Sequence, residues 1–268
     1  MFQPKVYHQV WQRLNQSQII AISPQSLPPI PLKVYERLTS TNTQLWKLLD
    51  RGDKVPLAAI ALEQTGGQGQ WGHSWVSQPG GLYLSVAWSL DLEINCHSHL
   101  VMATAWGIAK VLRYYQLPVT IKWSNDLILK QRKLGGIKIE TRSHHHKLTQ
   151  MVVGVGLNWC NPVPNLGINL QSYYQNHTAP EISSLEELTA IASYGIVLGY
   201  QYYLTAGIES LLQEYLKILN SLGKSVTVNN SSGEVTGVTT DGKLKVKLRS
   251  PGATTEISFD PGQISLGY

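Results

Sequence analysis

The amino-acid sequence predicts an α+β fold, a mixed central sheet flanked by helices with a small all-β unit at its C-terminal end. Three observations predict it. Almost unbroken apolar runs at 55–64 and 82–90 read as strands covered on both faces. Helical apolar spacing at 99–115, and a long amphipathic segment at 185–222, supply the flanking helices. After Gly223 the composition changes to short alternating segments separated by SSG, DG and PG turns, the pattern of hairpins in a compact barrel. The 268 residues, 43% of them hydrophobic, are ample for a buried core and exclude disorder as the dominant state. Only 15% are charged, against roughly 25% in an average globular chain, so neutral polar groups must cover the surface.

The elements follow in order. A weak helical pattern opens the chain and ends in the proline-rich SPQSLPPIP (23–31), an extended lead-in. The strand LKVYERL (32–38) comes next, and Thr39 or Ser40 can cap a helix that ends with Gly52 at its C′ position. Beyond the two buried strands and the helix at 99–115, four more strands are expected at 119–123, 126–130, 135–140 and 147–159. His144-His145-His146 falls between the last two, where an exposed hairpin loop is expected rather than a metal site. The formal net charge of +5 is spread without runs, which suits an anionic ligand and does not argue for nucleic acid. Cys96 and Cys160 form no CxxC pair, so a reducing compartment fits best. Neither a signal peptide nor a membrane-length apolar run is visible, which leads to the expectation of a cytoplasmic protein.

Three segments are candidates for chemistry. Gly66, Gly67, Gly69 and Gly72 lie in a loop between two strands. The formal GxGxxG there is rejected as a dinucleotide fingerprint, because that mechanism needs a helix after the loop. The glycines still let backbone N–H groups approach a ligand closely, and Trp71 and Trp75 suit a loop that folds over something. Lys122-Trp123-Ser124-Asn125-Asp126 and Arg132-Lys133-Leu134-Gly135-Gly136 place Asn125, Asp126 and Lys133 on neighbouring hairpin ends. There a lysine can polarise a phosphate or carboxylate and Asp126 can hold a divalent metal, although such a cluster reads equally as a solvated turn. Gly154-Val155-Gly156-Leu157-Asn158 ends a buried strand, where Asn158 serves as a cap or meets a purine edge.

Taken together, in this order and spacing, these segments resemble the bacterial biotin–protein ligases from about residue 32 to the end. The family's Ser-Thr-Asn stands as Ser40-Thr41-Asn42, and its glycine-rich loop as 64–75. Its Lys-Trp-Pro-Asn-Asp and Arg-Lys-Leu-x-Gly-Ile segments stand as 122–126 and 132–137, and its Gly-x-Gly-x-Asn strand as 154–158. The resemblance implies an N-terminal extension at 1–31, a catalytic domain of the class II synthetase type at 32–222 and an SH3-like barrel at 223–268. It implies a two-step reaction: biotin and ATP give biotinyl-5′-AMP and pyrophosphate, and a lysine of the biotin carboxyl carrier protein of acetyl-CoA carboxylase then takes the biotin. Mg²⁺ is implied on the phosphates, held by Asp126. Lys133, Asp126 and Asn125 are implied in catalysis. Ser40, Thr41, Asn42, Gln64, Gln68, Gly69, Gln70 and Lys133 are implied around biotin. Gly67, Gly69, Gly72, Trp75, Asn125 and Asn158 are implied around the adenylate. A homodimer stays open; a membrane partner and a DNA partner are not expected, since only about 31 residues precede the first strand.

Two departures matter. Gln68 and His73 stand at the loop's most regular arginine positions, and Ser124 replaces the usual proline. A hydrogen bond to a charged group contributes about 1.5–3 kcal/mol. Weaker retention of the adenylate is therefore expected, unless Lys122, Lys130 or Arg132 compensates. A lipoate– or octanoate–protein ligase and a catalytically weakened biotin-binding homologue remain alternative readings; calorimetry with biotin against lipoate, and pyrophosphate release, separate them.

Overall fold

The computed structural model describes residues 2–20, 28–177, 182–228, 231–250, 253–264 and 266–267. Residues 23–27 of the proline-rich lead-in and the PG turn at 251–252 lie outside the described residues. In chain order the elements are α1 (Pro4–Gln16), β1 (Leu32–Leu38), α2 (Thr41–Asp50), β2 (Leu57–Gln64) and β3 (Leu82–Glu93). Then come α3 (His97–Tyr114), β4 (Thr120–Lys122), β5 (Asp126–Leu129), β6 (Arg132–His144), β7 (Lys147–Leu157), α4 (Leu170–Tyr174) and α5 (Leu185–Leu216). The chain closes with β8 (Ser225–Val228), β9 (Ser231–Val238), β10 (Leu244–Ser250) and β11 (Ala253–Phe259).

The main sheet has seven strands in the order β1-β2-β3-β7-β6-β5-β4. Only β1 and β2 run parallel and every other neighbour pair is antiparallel, so the sheet is mixed as expected. The apolar runs account for its centre: β2 and β3 are buried over most of their length, because α2 covers one face while α3 and α5 cover the other. The turns follow local rules. Lys130-Gln131 and His145-His146 connect antiparallel strands with positive φ at both turn residues, and both histidines are exposed.

Two segments differ from the sequence reading. The long amphipathic stretch is amphipathic only beyond Gly207, where the helix breaks at φ 77. Before that break, Leu188 to Gly199 is buried on all sides, because α3 lies against one face and α1 against another. The opening helix is also stronger than its weak pattern suggested: Tyr7 and Trp11 are fully buried, and the Trp11 ring meets Tyr194 of α5 edge-on at 5.5 Å. The C-terminal unit is a four-stranded antiparallel sheet in the order β11-β10-β9-β8. Among the described residues no pairing joins β8 to β11, so closure into a barrel is not seen.

Candidate active site

A cleft of about 590 Å³ opens where the start of α2, the glycine-rich loop and the turn between β4 and β5 converge over β6 and β7. The first wall is the start of α2. Ser40 is extended and its hydroxyl accepts from Thr43 N–H at 3.5 Å, which places Thr41 and Asn42, both buried, in the first turn facing the cleft. The Gln64 carboxamide ties this turn to the loop: its Oε1 accepts from Thr41 N at 2.8 Å and from Thr41 Oγ1 at 3.1 Å. Its Nε2 donates to Ser77 Oγ at 2.9 Å. Behind it the buried Ser85 hydroxyl sits 2.7 Å from Thr41 Oγ1 and 2.6 Å from Asn42 Oδ1. Asn42 Nδ2 is a buried donor on the wall of the cleft, with no acceptor at full hydrogen-bond geometry and the Glu140 carboxylate close enough to be stabilised by it. A buried donor of that kind calls for an acceptor.

The loop itself is folded down onto the sheet. Trp75 N–H donates to Gly67 O at 2.9 Å and Gly69 N–H to His73 O at 2.7 Å, closing a small hairpin. The Trp75 ring lies against Gly156 of β7, where an added Cβ would fall 2.5 Å from the indole, so the motif's second glycine serves close approach. Gly67 and Gly72 shape the loop without lining the cleft.

Lys133 and Asp126 form the floor. Lys133 Nζ pairs with Asp126 Oδ1 at 2.7 Å and lies 5.4 Å from the Trp75 ring centroid. Burial pushes the neighbouring Lys122 ammonium down to about 8; Lys133 and Lys224 add repulsion and Asp126 opposes them. Asn125 lines the cleft, but its Nδ2 is already committed to Ile137 O at 2.7 Å.

The structure therefore gathers Ser40, Thr41, Asn42, Gln64, Gln68, Gly69, Gln70, Trp75, Asn125, Asp126 and Lys133 around one cavity. Asn158 is not on it. Its side chain donates to Lys133 O at 3.3 Å, holding the lysine's backbone from behind. Of the expected compensating cations only Lys122 lines the cleft; Lys130 and Arg132 are exposed, and Arg132 donates to Asn165 O. Sequence reasoning missed Lys138, whose Nζ donates to Gln68 Oε1 at 2.7 Å. Its signal was available in the alternation of Lys138, Glu140 and Arg142 with buried Ile137 and Ile139. The wall formed by Pro261 to Ile264 and Leu266 was missed too, and nothing local announces it.

Asp126 is the only acidic residue among those lining the cleft, and no group of three or more His, Cys, Asp or Glu is placed to hold a metal among the described residues. Such a site fits a Mg²⁺ carried mainly by substrate phosphates, with one protein carboxylate, and not a dedicated protein cage.

A sequence profile of the biotin/lipoate A/B protein ligase family matches residues 34–158, the span from β1 to the end of β7. The bifunctional ligase/repressor BirA of Escherichia coli is 35% identical over 55% of this chain and 45% of its own length. BirA of Salmonella typhimurium is 26% identical over 80% of this chain and 72% of its own length. The solved biotin protein ligase of Aquifex aeolicus, in complex with biotin and ATP, superposes with a TM-score of 0.64 at 20% identity. That match covers 85% of this chain and 99% of the Aquifex one. The profile match spans the loop, the cleft floor and the strands that carry them, so this part of the chain is similar to the biotin/lipoate A/B protein ligase family.

Proposed function

We propose that this chain is an ATP-dependent biotin–protein ligase, which joins biotin to AMP and passes it to a lysine of the biotin carboxyl carrier protein of acetyl-CoA carboxylase. The observation that carries the reading is Lys133. Its ammonium stands on the floor of the cleft, fixed by Asp126 at 2.7 Å and roofed by Trp75, with the polar Ser40–Gln64 wall on the same cavity. Joining a carboxylate to a phosphate brings two anions together, and a fixed cation lowers the barrier to that encounter. Lys133 neutralises the carboxylate and the α-phosphate as the first attacks the second and pyrophosphate leaves. Lys122 adds charge nearby, and the folded-down loop keeps water from the acyl-adenylate. Asp126 would hold Mg²⁺ when it is bound, and the ion would supply charge neutralisation on the phosphates.

Biotin is favoured over lipoate by the wall itself. Thr41, Asn42 and Gln64 form a polar wall, backed by the buried Ser85, that suits a ureido ring and that a dithiolane could not satisfy. The test is mass spectrometry of a carrier domain incubated with biotin, ATP and Mg²⁺. One biotin per domain is expected, and Lys133→Ala should slow the reaction by roughly 10²–10³-fold. Lipoylation in place of biotinylation would reassign the substrate.

A further inference from the structure

One side chain links the glycine-rich loop to the rest of the site. Lys138 Nζ donates to Gln68 Oε1 at 2.7 Å and pairs with Glu140 Oε1 at 2.9 Å on the same face of β6. Glu140 Oε2 accepts from the Trp46 indole at 2.7 Å, and Trp46 belongs to α2, the helix whose first turn forms the polar wall. The Arg142 guanidinium lies 4.3 Å over the Trp46 ring and closes a bidentate pair with Asp50 at the end of α2, at 2.5 and 3.2 Å. The contacts thus run without a gap from loop to strand to helix. Burial raises the Glu140 carboxyl, but Lys138 and Trp46 outweigh it and hold the group below its usual range, so it stays an anion at neutral pH. The side chains of Lys138 and Glu140 are 22% and 31% exposed, which leaves the pair only partly screened.

We infer that Lys138 is a positioning residue: it latches the glycine-rich loop to β6 and, through Glu140 and Trp46, sets the loop's distance from α2. A neutral glutamine at 68 suits this role, because its amide oxygen accepts from the ammonium while an arginine there would repel it. The loop is then held from the strand side, and its closure depends on a charged hydrogen bond that salt weakens. The latch acts on the loop with or without ligand, so only the second readout below rests on the ligase reading.

Amide hydrogen exchange of residues 66–77 in the full ligand-free chain tests it. Lys138→Ala should accelerate exchange across that segment about tenfold, the loss of one charged hydrogen bond at a partly exposed position. Lys138→Arg should restore most of the protection, and Gln68→Glu should slow exchange at low salt and lose that gain at high salt. Lys147→Ala, which removes a cation paired with Asp91 on the same sheet far from the cleft, should leave the segment unchanged. In the second readout the lifetime of bound biotinyl-AMP should shorten by a similar factor in Lys138→Ala, with the Michaelis constant for the acceptor domain unmoved. Wild-type exchange rates in Lys138→Ala, or no rescue by arginine together with no effect of Gln68→Glu, overturn the latch. Failure of the wild-type chain to form biotinyl-AMP overturns the ligase reading alone and leaves the exchange result standing.

Discussion

Lys122 carries a charge that its surroundings resist. Burial, with Lys133 and Lys224 close by, brings its ammonium from an ordinary value of 10.5 down to about 8, despite the help of Asp126. It is cationic at pH 7 and loses that charge as the pH rises through 8. Affinity for an anionic nucleotide is therefore expected to fall between pH 7 and 9, and calorimetry with ADP should show it. In Lys122→Met the same titration should be flatter and start from weaker binding. The linkage to stability runs the other way. Between about 8 and 10.5 the unfolded chain keeps the proton that the folded one has lost, so this group makes folding more favourable as pH rises through that window. Lys133 and Asp126 could be picked out from the sequence because they sit at neighbouring hairpin ends, whereas Ser40, Thr41 and Asn42 came only from the family resemblance, their local pattern showing no more than a helix cap. For Lys138 the alternation along β6 marks only the face it stands on, and its partner on that face, Gln68, comes from the fold.

At the scale of elements, the scaffold depends on how closely α3 and α5 approach. An added Cβ at Gly107 would fall 2.1 Å from Gly195 O, and one at Gly199 would fall 1.9 Å from Ala103 O. The two helices therefore meet backbone to backbone, which explains why the first half of α5 is apolar all round. The apolar periodicity predicts the helix but implies one exposed face, since a helix buried on every side differs from an amphipathic one only in what packs against it. Gly107→Ala is expected to force the helices apart and to destabilise the chain by about 1–3 kcal/mol, as overpacking does. Urea unfolding followed by circular dichroism would measure this, and a change under ~0.5 kcal/mol would mean that the crossing relaxes freely.

Over the whole molecule, the four-stranded sheet is tied to the cleft. The Trp123 indole at the cleft floor donates to Gly242 O at 3.0 Å in the β9–β10 turn, and the exposed Trp71 ring of the loop lies against Gly262. Residues 261–264 and Leu266 then form a wall of the cavity. A chain ending after Asp260 keeps every described strand but loses that wall. Its ligand affinity is expected to drop roughly tenfold, lowering the stabilisation that saturating biotin and ATP confer by about 1.4 kcal/mol. Thermal unfolding with and without ligand reads that difference, and equal ligand-induced shifts in the two chains would show the wall to be passive. No helix among the described residues is long and apolar enough to cross a membrane.

The sequence by itself determined most of the elements and their types, because period, turn residues and caps are local properties; it placed β6 at 135–140 where the strand runs from Arg132 to His144, and it did not announce α4. It also determined the floor of the site, since Asp126 and Lys133 lie on strands joined by one short turn and pair wherever that hairpin forms. Tertiary structure alone decided the rest. The register of β6 on β7 sets Gly136 opposite Gly156, where the Trp75 ring lies; the approach of α2 to β6 gives Glu140 its indole partner; and the path of the last residues brings them across the cavity. These contacts join segments far apart in the chain, and such pairings follow from how whole faces pack, which no local pattern of residues encodes.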